Sequence, residues 1–218
     1  VNDKGEVSIH QFEGSDLLPS VINVKGESGY RIVGRGARNF WADPCADPSE
    51  TFRKWKTFMA TGAVLATQDW GDGPRDITPE LLTTWLVEHI MKSITVDLGG
   101  EAVDSVAVTV PHRWCREHVE KCLATREAVR AAQVDGRPRG LRGGGHPLGE
   151  KATVRTVNES VAAAAYALHA SGNAAAFAGE NILVIGIGEG ATDLSLVRVG
   201  APGEPLTVID AINNDIGG

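Results

Sequence analysis

NILVIGIGEGATDLSLVRV, residues 181–199, decides how this chain is read. Two runs of Ile, Leu and Val flank Gly186, Gly188 and Gly190, and Asp193 follows the bend. Apolar runs of this length joined by glycines predict two buried strands in a hairpin. Small residues at the bend let backbone amides approach an anion, because no side chain blocks the way. Asp193 could serve a hydrated magnesium ion, which prefers a few carboxylates plus waters. A purely structural glycine turn carries the same pattern. Two phosphate signatures are excluded: there is no G-x-x-x-x-G-K run, and the glycines lead into a second strand rather than into a helix.

The remaining composition narrows the class. A chain of 218 residues and 23.0 kDa can bury a sizeable core. Its 42% hydrophobic and 22% charged content is that of a soluble globular protein. A net charge of -7 speaks against wholesale binding to nucleic acid or an anionic membrane. No apolar run approaches the ~20 residues of a membrane-spanning helix. Residues 1–15 lack the basic-then-apolar pattern of a secretory signal. Cys45, Cys115 and Cys122 are an odd, sparse set, which suits a reducing cytoplasm better than a disulfide framework.

Along the chain, EVSIH, SVINV and YRIVG within residues 6–34 read as short strands. In SETFRKWKTFM, Phe52, Trp55 and Met59 fall on one helical stripe, a core-facing pattern. DITPELLTTWLVEHIMKSITVDLGG is the clearest helix: Thr78 caps it, Pro79 suits its first turn, and Gly99 or Gly100 ends it. Leu81, Leu82, Trp85, Leu86 and Ile90 form its expected buried face. DSVAVTVP reads as a buried strand, followed by a helix from about Trp114 to Ala132. ATVRTV is a strand, NESVAAAAYALHASG a helix capped by Asn158 or Ser160, and PLTVIDAI a further strand. Strands mixed with helices throughout predict α/β or α+β layering.

Three other features invite chemistry. His112, Cys115, His118 and Cys122 are zinc-type ligands, the last three sharing one helical face, but metal pairs usually flank a loop, so we read the cysteines as core packing. The loop 135–150 holds Arg137, Arg139, Arg142 and His146, but no interleaved aromatics for base stacking, so we read it as a solvated insertion. The DLGG run at 97–100 follows a long helix and is expected to be its terminating turn.

The order VAVTVP, helix, VNESVAAAAYAL, NILVIGIGEGATDLSLVRV, VIDAINNDIGG resembles the nucleotide-binding domain of the seventy-kilodalton heat-shock chaperones. These are the DnaK-like family of the actin/hexokinase superfamily. There the segments run approximately V-T-V-P, I-N-E-P-T-A-A-A, D-L-G-G-G-T-F-D and G-D-T-x-L-G-G. LLPSVINV, VGRGARNF and TFRKWKTFMATG fit earlier segments in the same order. The resemblance implies an actin-like ATPase (ribonuclease H-like) α/β fold, mixed sheets flanked by helices, with an incomplete second lobe. It assigns residues 1–177 to a first lobe, with 35–103 its smaller upper part, and 178–218 to the start of the second. It further implies ATP or ADP with magnesium as ligands, a cytoplasmic protein, and client proteins or co-chaperones as partners. Lys56 and Glu159 take the catalytic positions near the γ-phosphate and the magnesium cluster. Gly186, Gly188, Gly190, Asp193, Gly217 and Gly218 take the nucleotide-contacting ones, with Asp193 the metal-side carboxylate.

The departures bear on turnover. The family's first phosphate hairpin, D-L-G-T-T, would precede Val1, and Val1 opens as if a strand had been cut, so we expect a piece of a larger domain. Gly186 stands where the family has aspartate, Ala191 where it has threonine, and Glu189 where it has a central glycine. At ~4 Å and an effective dielectric of ~20, an added carboxylate repels a unit negative charge by about 4 kcal/mol before screening. Ser160 replaces the family proline. The sequence therefore predicts a chaperone-type nucleotide domain with hydrolysis weakened or lost. The alternative is a degenerate actin-fold scaffold, and a sugar- or acetate-kinase relative is a third reading.

Overall fold

The computed structural model describes residues 7–26, 28–100, 103–134, 148–188 and 192–214. It is a mixed α/β structure in two compact units, Val1–Asp104 with Glu127–Ala152 and Ser105–Arg126 with Thr153–Gly218.

In the first unit, β1 (Ile22–Lys25) lies between β2 (Tyr30–Val33) and β3 (Thr51–Phe52), both antiparallel to it. Ile22 and Val24 alternate with Asn23, yet all three are buried, because both faces of this central strand are covered. Asn23 Nδ2 donates to Thr51 Oγ1 at 2.9 Å, while its buried Oδ1 has no hydrogen-bond partner among the described residues. A second hairpin pairs β4 (Ala66–Asp69) with β5 (Pro74–Ile77), and α1 (Arg35–Ala42) follows β2.

Helix α2 (Pro79–Asp97) begins where its sequence says it should. The Thr78 hydroxyl accepts from Leu81 N–H, and Pro79 occupies the first turn, where its missing N–H costs nothing. Its end is a Schellman turn: Gly99 and Gly100 adopt positive φ, Gly99 N–H donates to the Val96 carbonyl, and Gly100 N–H to the Thr95 carbonyl. The DLGG run is thus a helix stop, as expected. Leu82 and Trp85 enter a core with Ile22, Val24, Phe52, Trp55 and Ile77, while Leu81 and Leu86 pack at its margin. Glu88 is buried on the same helix, with its oxygens engaged by Arg31 at 3.3 Å and Lys92 at 2.6 Å. A buried carboxylate is tolerable only when paired in this way.

Three expectations are corrected. Residues 49–59 are not one helix. Thr51 and Phe52 pair with β1, Lys54 turns left-handed at φ 59°, and a 3-10 turn follows at Trp55–Phe58. Phe52, Trp55 and Met59 are still all buried, reached by a strand and a turn instead of a helical stripe. EVSIH contributes no strand over its described residues. The helix expected from 114 to 132 is two, α3 (His112–Glu117) and α4 (Val119–Val134), broken at His118 by φ -135° and ψ 54° with no glycine or proline to announce it.

The second unit has a three-stranded antiparallel sheet with β9 (Thr192–Arg198) between β8 (Asn181–Ile187) and β10 (Thr207–Asn214). Helix α5 (Glu159–Ala170) packs on this sheet through Ser160, Ala164 and Leu168, a four-residue spacing that puts all three on one face. The alanines let it lie close. Strand β6 (Val103–Val110) pairs with β7 (Leu148–Asn158), which leads directly into α5. The hairpin strands are less buried than their composition suggested: Leu183, Ile185 and Ile187 are 58%, 58% and 75% exposed. β6 likewise alternates, with Val106, Val108 and Val110 turned inward and Ala107 and Thr109 outward.

Two stability outcomes follow from the first unit. Leu82→Ala empties a fully buried site and should lower unfolding free energy by about 2–5 kcal/mol, read from urea titration. His89, on α2, is half-buried, and burial holds its imidazole below the ordinary 6.5 against the opposing pull of Glu13. The unfolded chain therefore binds this proton first as pH falls, so stability declines below about pH 6.5 as the folded value is approached. His89→Gln should flatten that slope in urea midpoints taken between about pH 7.5 and about pH 5.

Candidate functional site

The end of β7 and the start of α5 meet at one side chain. Asn158 Oδ1 accepts from Ser160 N–H at 2.8 Å and Val161 N–H at 3.3 Å, capping α5. That fixes the amide's orientation, so Nδ2 is the atom facing His112 Nδ1 at 2.6 Å. An amide N–H can only donate, so His112 Nδ1 accepts, and its Nε2 carries the proton of the neutral ring. Asparagine at this position thus joins strand β7, helix α5 and helix α3.

Two residues further on, the Ser160 hydroxyl bonds Ser195 Oγ at 2.7 Å, with both residues buried. Ser195 sits on β9 two positions after Asp193, so their side chains lie on the same face of the strand. Asp193 pairs across the hairpin with Gly186, and Thr192 with Ile187. Glu159 occupies the first turn of α5, where the helix dipole favours a carboxylate. Through Ser160 and Ser195, then, the Glu159 backbone and the Asp193 strand are locked together.

Asp193 and Ser195 line a cavity of about 350 Å³ with His112, Arg113, Arg116, Glu117, Ala211 and Ile212. Arg113 Nε donates to Glu117 Oε2 at 2.8 Å, and this bond holds the Glu117 carboxyl below the usual carboxylate range. The cavity therefore offers guanidinium groups suited to phosphate oxygens and, at Asp193, a carboxylate suited to a hydrated cation.

Each sequence-derived residue can now be placed. Gly186, Asp193 and Glu159 belong to the second unit, Gly186 and Asp193 being directly opposite one another. Gly188 follows β8 and is exposed. Lys56 belongs to the first unit, exposed in the 3-10 turn after Lys54. Glu189, Gly190, Ala191, Gly217, Gly218 and most of the 135–150 loop lie outside the described residues. The sequence reading weighed His112 only as a metal ligand and missed Arg113, Arg116 and Glu117 of α3. The signal for them is PHRWCREH, with basic residues at one-turn spacing immediately after a strand. Among the described residues no group of three or more His, Cys, Asp or Glu side chains is disposed to hold a metal ion. Cys122 is buried, and burial pushes its thiol up to about 11, opposite to what a thiolate ligand requires. No helix among the described residues is long and apolar enough to cross a membrane.

No protein-family model matches the chain. It is similar to proteins named "Chaperone protein DnaK" from Thermotoga petrophila, Thermotoga sp. strain RQ2 and Thermotoga maritima. In each case 27% of residues are identical over 211 aligned positions, covering 96% of this chain and 29% of the relative. The chain thus spans under a third of the length of these curated relatives.

The Ser160–Ser195 bond can be weighed directly. A double-mutant cycle with Ser160→Ala and Ser195→Ala should return a coupling of roughly 0.5–3 kcal/mol, each single change leaving a buried hydroxyl unpaired. Ser160→Pro, the residue of the resembled family, removes both that hydroxyl and the N–H held by Asn158. It should destabilise by about 1–3 kcal/mol in the same urea assay.

Proposed function

We propose that this chain is part of a DnaK-like, ATP-binding domain of chaperone type, in which nucleotide hydrolysis is weak or lost. One observation carries the reading: similarity to DnaK chaperones runs through 96% of the chain, so the segments quoted from the sequence occur together and in order. The hairpin pairing of Gly186 with Asp193, and the polar cavity beside Asp193, are what such a domain would use around phosphates. In this proposal residues 1–177 correspond to the first lobe and 178–218 to the start of the second. Lys56 and Glu159 act at the γ-phosphate, the 186–193 hairpin surrounds it, and Gly217 and Gly218 contribute backbone amides. Client proteins and co-chaperones would engage the parent protein, in the cytoplasm.

Magnesium, when bound, would neutralise charge between phosphates. Asp193 fits as one of the one or two carboxylates such an ion takes. The position facing it is Gly186, which supplies no second oxygen. Phosphoryl transfer depends on positioning and electrostatics rather than on covalent help from the protein. With one acidic partner replaced and Glu189 added, binding would outlast turnover. These same replacements favour the second reading, a scaffold that no longer uses nucleotide.

Calorimetry on the intact protein with Mg-ATP separates the two. A micromolar dissociation constant with slow release of phosphate is expected; no heat at millimolar ligand would overturn the nucleotide reading and leave the scaffold. Gly186→Asp is sterically open, since a Cβ there would meet Asp193 Cβ at 3.7 Å, an ordinary contact. Combined with Glu189→Gly it should tighten Mg-ATP by about tenfold, equivalent to ~1.4 kcal/mol. In the absence of magnesium the facing carboxylates should instead cost roughly 0.2–1 kcal/mol of stability.

A further inference from the structure

The first unit holds a hydrogen-bonded relay made of residues outside the proposed nucleotide site. His10 Nε2 lies 2.8 Å from Ser93 Oγ, and His10 Nδ1 lies 3.0 Å from Asp97 Oδ2. Ser93 and Asp97 are four residues apart near the end of α2, so the helix presents them on one face. The Phe12 ring stands edge-on to the imidazole, centroids 4.5 Å apart at 80°, and holds its plane.

The partners fix the direction of both bonds. The Asp97 carboxylate can only accept, so Nδ1 bears the proton of the ring. Nε2 of the neutral imidazole is then the acceptor, and the serine hydroxyl donates to it. The Ser93 proton is therefore aimed at a base whose far nitrogen is oriented by a carboxylate, the arrangement that activates a serine oxygen for attack.

We propose that Ser93 is an acylation site for small activated acyl donors such as aryl esters. Ser93 Oγ is the nucleophile, His10 the general base, and Asp97 a positioning residue. Oγ attacks the acyl carbon, the Oγ–C bond forms, and the bond from that carbon to the aryl oxygen breaks. The serine proton passes to His10 Nε2 and from there to the departing phenolate, leaving a Ser93 ester and a free phenol. The intermediate imidazolium lies beside Asp97 and near the negative end of α2, both of which favour it.

The same helix end defines the limits of the reaction. The Leu98, Gly99 and Gly100 N–H groups already donate to the carbonyls of Ile94, Val96 and Thr95, so they offer nothing to an oxyanion. What remains is general-base assistance, typically 10²–10⁴-fold, or about two to four powers of ten. Donors with good leaving groups react, whereas the Ser93 ester, an alkyl ester, hydrolyses slowly and accumulates.

The test uses the full chain with p-nitrophenyl acetate at mildly alkaline pH, following p-nitrophenolate and mapping acetyl groups by peptide mass spectrometry. A burst approaching one equivalent per chain, with acetyl on the peptide bearing Ser93, is expected. Ser93→Ala should abolish it, and His10→Gln should slow it by about tenfold or more. Asp97→Asn should slow it comparably by favouring the wrong tautomer, and Asp97→Glu should recover part of the rate, which a merely structural contact would not require. Acetyl groups spread over lysines in the unaltered protein, with none on Ser93, would overturn the proposal without any variant having to fold. So would Ser93 acetylation at a rate indifferent to His10→Gln and Asp97→Asn in variants whose circular dichroism matches the parent.

Discussion

The Asn158 side chain is the constraint on which the second unit turns. Its oxygen closes the first turn of α5 and its amide nitrogen fixes the His112 ring. A cap donor–acceptor pair of this kind has no freedom left: flipping the amide would lose three bonds, two to α5 and one to α3. From that anchor, Ser160 reaches Ser195, and Ser195 sets the register of β9 against α5. The strand that carries Asp193 is held against α5 by this chain of neutral hydrogen bonds.

The first unit is organised differently. Its centre is a strand buried on both faces, and the buried groups that are paired find their partners locally. Asn23 uses Thr51, and Glu88 uses Arg31 and Lys92. Arg31 also stacks over Trp85, 4.8 Å from the ring centroid, so one guanidinium serves both the buried carboxylate and the aromatic core. Such double use explains how a small core accommodates a carboxylate at all.

The two sites carry opposite electrostatic designs. Around Asp193 the cavity mixes guanidinium and carboxylate groups and suits a ligand that brings both phosphate and cation. Near Ser93 the amides of Leu98, Gly99 and Gly100 are consumed by the Schellman turn. A helix C-terminus stabilises a cation and opposes an oxyanion, which is why the His10 relay favours proton transfer over charge stabilisation.

Where information is local, the sequence alone was sufficient. Thr78-Pro79 at the start of α2, Gly99-Gly100 at its end and Asn158 before α5 each act within a few residues, so their signals stand in the primary structure. Burial, too, was foreseen for Phe52, Trp55 and Met59, although not the backbone that delivers it. Tertiary structure decided what depends on distant partners. Thr51 and Phe52 became a strand because β1 offered an open edge, and α3 parted from α4 at a histidine that carries no breaking signal. Leu183, Ile185 and Ile187 lie on the outer face because α5 covers only the other side of their sheet. The convergence of Asp193 with Arg113 and Arg116, and of His10 with Ser93 and Asp97, joins residues about eighty positions apart. No spacing rule reaches that far, since such proximity is created only when apolar burial folds the intervening chain back upon itself.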